Sequence, residues 1–295
     1  MKHCLFEGAG VALITPMNLD GTVNYEKIKE LVDWHVDSKT DAIIVCGTTG
    51  EPCTLSDEEH RNVIREVVKS AAGRVPVIAG TGSNDTEYAV NLSKAAENLG
   101  VDGVLVVSPY YNRTSQAGLV KHYLKIADSI DIPLIIYDIP GRTGCKISLE
   151  TFKVLSDHDN IVGVKAASGV ISDVVSLAEA CGDRLSIYSG NDDQIVPIMS
   201  LGGKGVISVL SNVVPKETHE ICQFYLDGKP KESLELQLKF LDLVHALFID
   251  VNPIPVKDAM NLMGMGVGPC RLPLCSLEPS KMEALKLCLK KYSLI

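Results

Sequence analysis

Eight short apolar runs recur along the chain, each followed by a polar loop and an amphipathic stretch. The runs cover 11–15, 42–46, 75–79, 103–108, 133–137, 162–166, 185–189 and 205–208. Most lack in-and-out alternation, which is the pattern of strands covered on both faces. The amphipathic stretches cover 25–36, 57–71, 86–99, 116–129, 149–155, 171–180, 194–200 and 215–225. Several open on cap residues, such as Ser56 before Asp57-Glu58-Glu59 and Ser148 before Leu149-Glu150. Eight strand-then-helix units, roughly 20–35 residues apart, predict an α/β fold of the (β/α)8 TIM-barrel type. The competitor is a doubly wound sheet, which usually opens on a nucleotide-binding loop. Here G-x-G-x-x-G is absent after the first run, Gly80-Thr81-Gly82-Ser83-Asn84-Asp85 lacks the third glycine, and no G-x-x-x-x-G-K-[ST] occurs.

The beat changes after Tyr225. Asp227-Gly228-Lys229-Pro230 marks a turn. Residues 231–248, 256–263 and 280–291 then read as helices with no strands between them. The expected division is a catalytic barrel over 1–227 and a C-terminal helical domain over 228–295 that offers a packing or oligomer surface. The plainer alternative is that these helices simply finish the barrel.

Composition narrows the function. The 295 residues are 46% hydrophobic and 22% charged, an ordinary soluble balance. A net charge of −9 disfavours nucleic acid and anionic membranes as partners. An anionic substrate must then be met locally, by an arginine or by backbone N–H groups. No apolar run approaches the ~20 residues of a membrane helix. Met1-Lys2-His3-Cys4-Leu5-Phe6-Glu7-Gly8 has no apolar h-region or cleavage site, so no signal peptide is expected. The nine cysteines are odd in number, scattered and free of C-x-x-C. They read as buried thiols in a reducing cytoplasm, not as a disulfide framework or a zinc site. His219 and Cys222 have ligand-like spacing, but with no second pair they read as structural. No metal is expected.

The ends of the apolar runs carry the chemistry. Lys165 sits in Ile161-Val162-Gly163-Val164-Lys165-Ala166-Ala167-Ser168, where every neighbour is small or apolar. Apolar surroundings penalise an ammonium relative to a neutral amine, and a neutral amine is the nucleophile that imine chemistry requires. Taken alone, this run better fits a lysine that snorkels to solvent or pairs with a carboxylate, and it is the rest of the chain that reverses the balance. Gly47-Thr48-Thr49-Gly50-Glu51 follows the second run. Its glycines permit a tight turn whose N–H groups face an anion, and its hydroxyls can orient a carboxylate or pass a proton. Ser108-Pro109-Tyr110-Tyr111-Asn112 closes the fourth run, and Tyr137-Asp138-Ile139-Pro140-Gly141-Arg142-Thr143-Gly144 closes the fifth. A strand-end tyrosine is a proton donor or a packed aromatic. Arg142 offers a planar fork for a carboxylate, or for a surface acid. Gly190 follows the seventh run, and Ile207-Ser208 closes the eighth. Amine, hydroxyls, anion nest and arginine at one barrel mouth suit carbonyl chemistry through an imine on a small acid.

Nearly end to end, from Gly8-Ala9-Gly10-Val11-Ala12-Leu13-Ile14-Thr15-Pro16 onward, the chain resembles the dihydrodipicolinate synthase/N-acetylneuraminate lyase family of Schiff-base lyases. The motifs around Thr48, Tyr137 and Lys165 carry that resemblance. It implies an enzyme of the carbon–oxygen lyase class that condenses pyruvate with L-aspartate 4-semialdehyde in diaminopimelate and lysine biosynthesis. Lys165 forms the imine, and no cofactor is needed. Tyr137 handles protons, and Thr48 links it to Tyr111 across a subunit boundary. Thr49 holds the pyruvate carboxylate and Arg142 receives that of the semialdehyde. Gly190 and the Ile207 backbone line the pocket. A cytoplasmic homotetramer, a dimer of dimers, is implied.

The alternative is a pyruvate-dependent aldolase acting on a sugar acid such as N-acetylneuraminate or a 2-keto-3-deoxy acid. That branch usually has Ser-Thr in place of Thr48-Thr49 and lacks the element Gly141-Arg142-Thr143. A third reading is a barrel that binds a small acid without turnover. Two residues depart from the family pattern, which commonly has Asn where Asp138 stands and Glu where Ala166 stands. His60, Asn84 and Tyr110 match an effector pocket. Lysine-sensitive members carry His near Asp57 and Glu near Tyr88, so strong lysine inhibition is not expected.

Overall fold

A computed structural model describes residues 4–295. Eight parallel strands close into a barrel in chain order. They are β1 (Gly8–Ala12), β2 (Ala42–Val45), β3 (Val77–Gly80), β4 (Gly103–Val107), β5 (Leu134–Asp138), β6 (Ile161–Ala166), β7 (Ser186–Ser189) and β8 (Gly205–Ser208). The barrel shuts where β1 pairs with β8, Gly10 opposite Ile207. Period-2 alternation divides each strand between two cores. Ile44, Ile78, Leu105, Ile135, Tyr137, Tyr188 and Ile207 fill the lumen around Phe6. Val164, Ala166, Val104, Val106, Leu134 and Ile136 face the helical shell. Phe6 plugs the lumen, stacked on Tyr188 with ring centroids 4.4 Å apart. Tyr188 donates its hydroxyl hydrogen to the Phe6 carbonyl at 2.8 Å.

The helices between strands are α1 (Tyr25–Asp37), α2 (Asp57–Ala71), α3 (Thr86–Asn98), α4 (Gln116–Ala127), a short α5 (Pro140–Thr143), α6 (Leu149–Leu155), α7 (Ile171–Cys181), α8 (Ile195–Ser200) and α9 (Pro215–Leu226). Their starts follow the cap chemistry legible in the sequence. Ser56 and Glu59 form a reciprocal capping box on α2, and the Ser148 side chain accepts from the Thr151 N–H of α6. The remaining helices are α10 (Pro230–Lys239), α11 (Leu241–Leu247), α12 (Ile254–Leu262) and α13 (Pro279–Lys291). Leu243, Leu247, Val256, Met260, Leu285 and Leu289 from α11–α13 join the same apolar core as the barrel's helical shell.

Two expectations are corrected. The first strand is Gly8–Ala12 rather than 11–15. Apolar content drew the expected strand toward Leu13 and Ile14, whereas the barrel needs the glycines. A Cβ on Gly10 would lie 2.6 Å from Ile44 and 2.9 Å from Phe6, so only glycine fits beside the plug. The expected single helix over 231–248 breaks at Phe240 (φ −96°, ψ 4°). The break serves two packing directions. In α10, Gln237 accepts from the Val196 N–H and donates to the Asp193 carbonyl, tying the helix to the loop and start of α8. Phe240 then turns inward and stacks on Tyr292 at 5.2 Å, and α11 runs across the barrel mouth.

His219, read as structural, shares the Asp41 carboxylate with the Ala9 N–H at the base of the barrel. Among the described residues no helix is long and apolar enough to cross a membrane. The expectation of no signal peptide rests partly on residues 1–3, which lie outside the described residues.

Candidate active site

Lys165 ends β6 between Tyr137 of β5 and Tyr188 of β7, each its direct register partner. Val164 and Ala166 belong to the outer core. Alternation therefore sends Gly163 and Lys165 into the lumen. A Cβ on Gly163 would indeed meet the lumen residues Tyr188 and Ile135. Lys165 is only 5% exposed, and its Nζ lies 4.3 Å from the centre of the Tyr137 ring. Among the described residues no carboxylate stands within ion-pair distance of it. The two plainer readings, snorkelling and a carboxylate partner, are thus not what the fold provides.

Asp192 is the buried carboxyl nearest this chemistry. Burial pushes its pKa up, while the N–H groups of Val209 and Leu210 and the charge of Lys165 work the other way. One carboxylate oxygen accepts from both of those N–H groups at 3.0 Å, bracing the loop after β8. Beside it Gly190 is required. A Cβ there would lie 2.6 Å from the Ala167 Cβ, and the Gly190 N–H bonds the Ala166 carbonyl at 2.8 Å. Ile207 is fully buried in the lumen. A cavity of about 370 Å³ opens alongside, lined by Ser168, Asn191, Asp193 and Gln194, by His245 of α11 and by Phe248 just past its end.

The turn after β2 faces Lys165 across the mouth. Thr48–Gly50 form one 3-10 turn, bracketed by two non-glycine residues in the left-handed region, Cys46 (φ +54°) and Glu51 (φ +55°). Such backbone persists only where the surroundings over-determine it. Thr15 does part of this, donating its hydroxyl hydrogen to the Gly50 carbonyl at 2.7 Å. Glu51 does the rest. It is buried and ion-paired to Lys257 at 2.8 Å, with both side chains 1% exposed. Lys257 also donates to the Thr15 and Pro269 carbonyls, and the second Glu51 oxygen accepts from the Arg271 N–H. All three ammonium donors are used, which is what makes a buried lysine tolerable.

Thr49 is buried, and its hydroxyl accepts from the Asn252 side-chain amide at 3.0 Å. Arg142 lies exposed on α5 and donates from Nη2 to the Asn252 backbone carbonyl, also at 3.0 Å. Asn252 therefore touches both expected carboxylate receptors. Neither Asn252 nor Lys257 stands out in the sequence. The signal available for Lys257 is the one that marks Lys165, a lysine in an apolar stretch, here Ile254-Pro255-Val256-Lys257.

Thr48 is half-buried, and among the described residues no hydrogen bond joins its hydroxyl to Tyr137 or Tyr111. Tyr111 stands in solvent, outside the packed interior. It is 92% exposed and sits at φ +65°, a costly conformation for an aromatic residue. The expected effector residues gather on the flank. Buried His60 of α2 bonds the Gly80 carbonyl through Nε2 at 3.1 Å. Asn84 accepts from the Asn112 amide through its backbone carbonyl. Half-buried Tyr110 has its pKa raised by burial. Beside them Tyr88 of α3 donates to the Asp57 carboxylate of α2. Burial, and then that hydrogen bond, push the Tyr88 hydroxyl up to about 12.

Comparison with known proteins agrees with this geometry. Residues 5–292 match the profile of the dihydrodipicolinate synthetase family. A 4-hydroxy-tetrahydrodipicolinate synthase of Clostridium novyi is 53% identical, over 98% of this chain and 97% of its own length. The chloride-inhibited dihydrodipicolinate synthase of Acinetobacter baumannii, solved in complex with pyruvate, superposes with a TM-score of 0.95 at 42% identity, covering 98% of this chain and 99% of that one. A dihydrodipicolinate synthase variant described as monomeric superposes with a TM-score of 0.96 at 39% identity, covering 99% and 98%. With a closed eight-stranded barrel, a lumen-facing Lys165 and a full-length match, this chain belongs to the dihydrodipicolinate synthetase family.

Proposed function

We propose that this chain condenses pyruvate with L-aspartate 4-semialdehyde through an imine on Lys165. The observation that carries the reading is the lumen-facing amine beside Tyr137, with no carboxylate in ion-pair reach among the described residues. The Acinetobacter relative takes pyruvate, and the full-length relatives are named as synthases of 4-hydroxy-tetrahydrodipicolinate.

The Lys165 Nζ attacks the keto carbon of pyruvate, giving a carbinolamine that loses water to the imine. The imine nitrogen acts as electron sink, so no cofactor is called for. The methyl group loses a proton, and the resulting enamine carbon attacks the semialdehyde's aldehyde carbon. The substrate's own amine then attacks the imine carbon, closing the ring and releasing Lys165. The second substrate is thus joined through C–C and C–N bonds, and the carbon–oxygen lyase class expected from the sequence does not describe this chemistry. Tyr137 serves as proton carrier at the imine. Thr49 receives the pyruvate carboxylate and Arg142 that of the semialdehyde. Thr48 relays protons toward a Tyr111 supplied by a neighbouring subunit. All nine cysteines are free, with Cys53 and Cys275 exposed rather than buried as expected from the sequence; free thiols suit the reducing cytoplasm, where we place the reaction.

The test is a borohydride trap. With pyruvate present, reduction should leave a stable adduct on the peptide carrying Lys165, and Lys165→Ala should abolish both adduct and turnover. The purified protein should consume the semialdehyde with pyruvate and leave N-acetylneuraminate uncleaved. Unmodified Lys165, or activity confined to sugar acids, would overturn the reading.

A further inference from the structure

We infer that Asn252 is a positioning residue that fixes the spacing between the two carboxylate receptors, Thr49 and Arg142. The inference rests on the assignment of those two residues above. It starts from one backbone segment, Asn252 to Lys257, that reaches the mouth from the C-terminal helices. At its first residue the Asn252 amide donates to the Thr49 hydroxyl, and its carbonyl accepts from Arg142, each at 3.0 Å. At its last residue Lys257 grips Glu51, next to the same turn, through a fully buried ion pair. Asn252 is 6% exposed; its amide bond to Thr49 is buried and its carbonyl bond to Arg142 is partly so.

The physical consequence is directional. Pyruvate must become an imine on Lys165 before the semialdehyde arrives, and the two acids must meet with enamine carbon and aldehyde carbon in line. A fixed distance between their carboxylate receptors enforces that alignment without any contact to the reacting atoms. Among the described residues, Asn252 is the one that hydrogen-bonds both receptors. Lys257 and Glu51 hold its segment and the Thr48–Thr49 turn in a common frame. Buried at the Thr49 bond and at the Glu51–Lys257 pair, the arrangement has little freedom to relax when the bond to Thr49 is removed.

The experiment compares wild type, Asn252→Ala, Thr49→Val and the double variant as full chains. Borohydride trapping at saturating pyruvate counts competent sites, so partial misfolding is separated from altered binding. Asn252→Ala deletes the amide bond to Thr49 and leaves the backbone carbonyl for Arg142. Per trapped site it should therefore raise the KM for pyruvate by about tenfold, the usual consequence of one lost buried hydrogen bond, and the KM for the semialdehyde by less than about threefold. In the Thr49→Val background the same substitution should raise the pyruvate KM by less than about twofold, because its partner is already gone. An unchanged pyruvate KM per trapped site, or effects that simply multiply in the double variant, would overturn the inference and leave the imine mechanism standing. A wild type that traps no pyruvate at Lys165 would overturn both.

Discussion

The carboxyl of Asp138 lies on the outer side of the barrel wall, one residue beyond Tyr137, and is 7% exposed. It accepts a long hydrogen bond from the Ile147 N–H, at 3.4 Å. Burial pushes it up to about 6, against the weaker pull of that N–H and of Lys146. A carboxyl raised in the folded state costs stability wherever it is charged. The cost is small up to about pH 4, where both states hold the proton, grows between about 4 and 6 as only the unfolded state ionises, and is constant above about 6. Raising an aspartate from its ordinary 3.8 to about 6 costs about 3 kcal/mol once the group is ionised. Asp138→Asn keeps the acceptor for Ile147 and removes the charge. It should therefore stabilise the protein by on the order of 2–3 kcal/mol at pH 8 and by almost nothing at pH 4, read by urea unfolding at both values. An equal gain at the two pH values would refute this account. Single residues are legible in proportion to how local their signal is. Lys165 declares itself by its apolar neighbours. Asn252 does not, because its meaning lies in Thr49, 203 positions away, and that pairing exists only once the chain has folded.

At the scale of elements, β5 and β6 set Asp138 directly opposite Ala166. Both line a cavity of about 230 Å³ between the barrel wall and α6 and α7, whose other walls include Phe152, Val174 and Leu177. The family resemblance in the sequence leads one to expect Asn and Glu at these two positions, whereas this chain has the carboxyl on β5 and Ala166 on β6. Ala166→Glu should be destabilising here, because two carboxyls would then share one poorly solvated space. The double variant Asp138→Asn, Ala166→Glu should be more stable than the sum of the single effects by about 1 kcal/mol or more. Strict additivity in thermal or denaturant unfolding would show that the two strand positions do not sense each other. Elements themselves are legible where period and caps agree, as in α2 and α6, whose bounds match those expected from the sequence. They are not where packing overrides pattern. The glycines of β1 look like a loop until Phe6 is placed against them. The break at Phe240 follows from α10 and α11 packing on different neighbours, which a continuous helical pattern conceals.

For the whole molecule, the question is what completes the mouth. The relay assigned to Tyr111 is not closed within one chain. The ring stands 92% exposed on a left-handed backbone, with no hydrogen bond to Thr48 among the described residues. A side chain held in a costly conformation in full view of solvent fits a role in another copy's site. One relative is nevertheless described as monomeric, so assembly has to be measured. Sedimentation should give a tetramer, and Tyr111→Phe should lower kcat by roughly tenfold to a hundredfold while moving the pyruvate KM much less, since proton transfer is lost and binding is not. Subunit mixing is the sharper measurement. Lys165→Ala has no nucleophile but an intact Tyr111, and Tyr111→Phe has the reverse. If Tyr111 acts on its neighbour, a hybrid contains one site with Lys165 from one chain and Tyr111 from the other. Co-refolding the two crippled chains should then restore activity well above that of either alone. If Tyr111 acts on its own chain, or on nothing, no hybrid site is complete and mixing restores none. A fully active monomer would exclude the shared site as well.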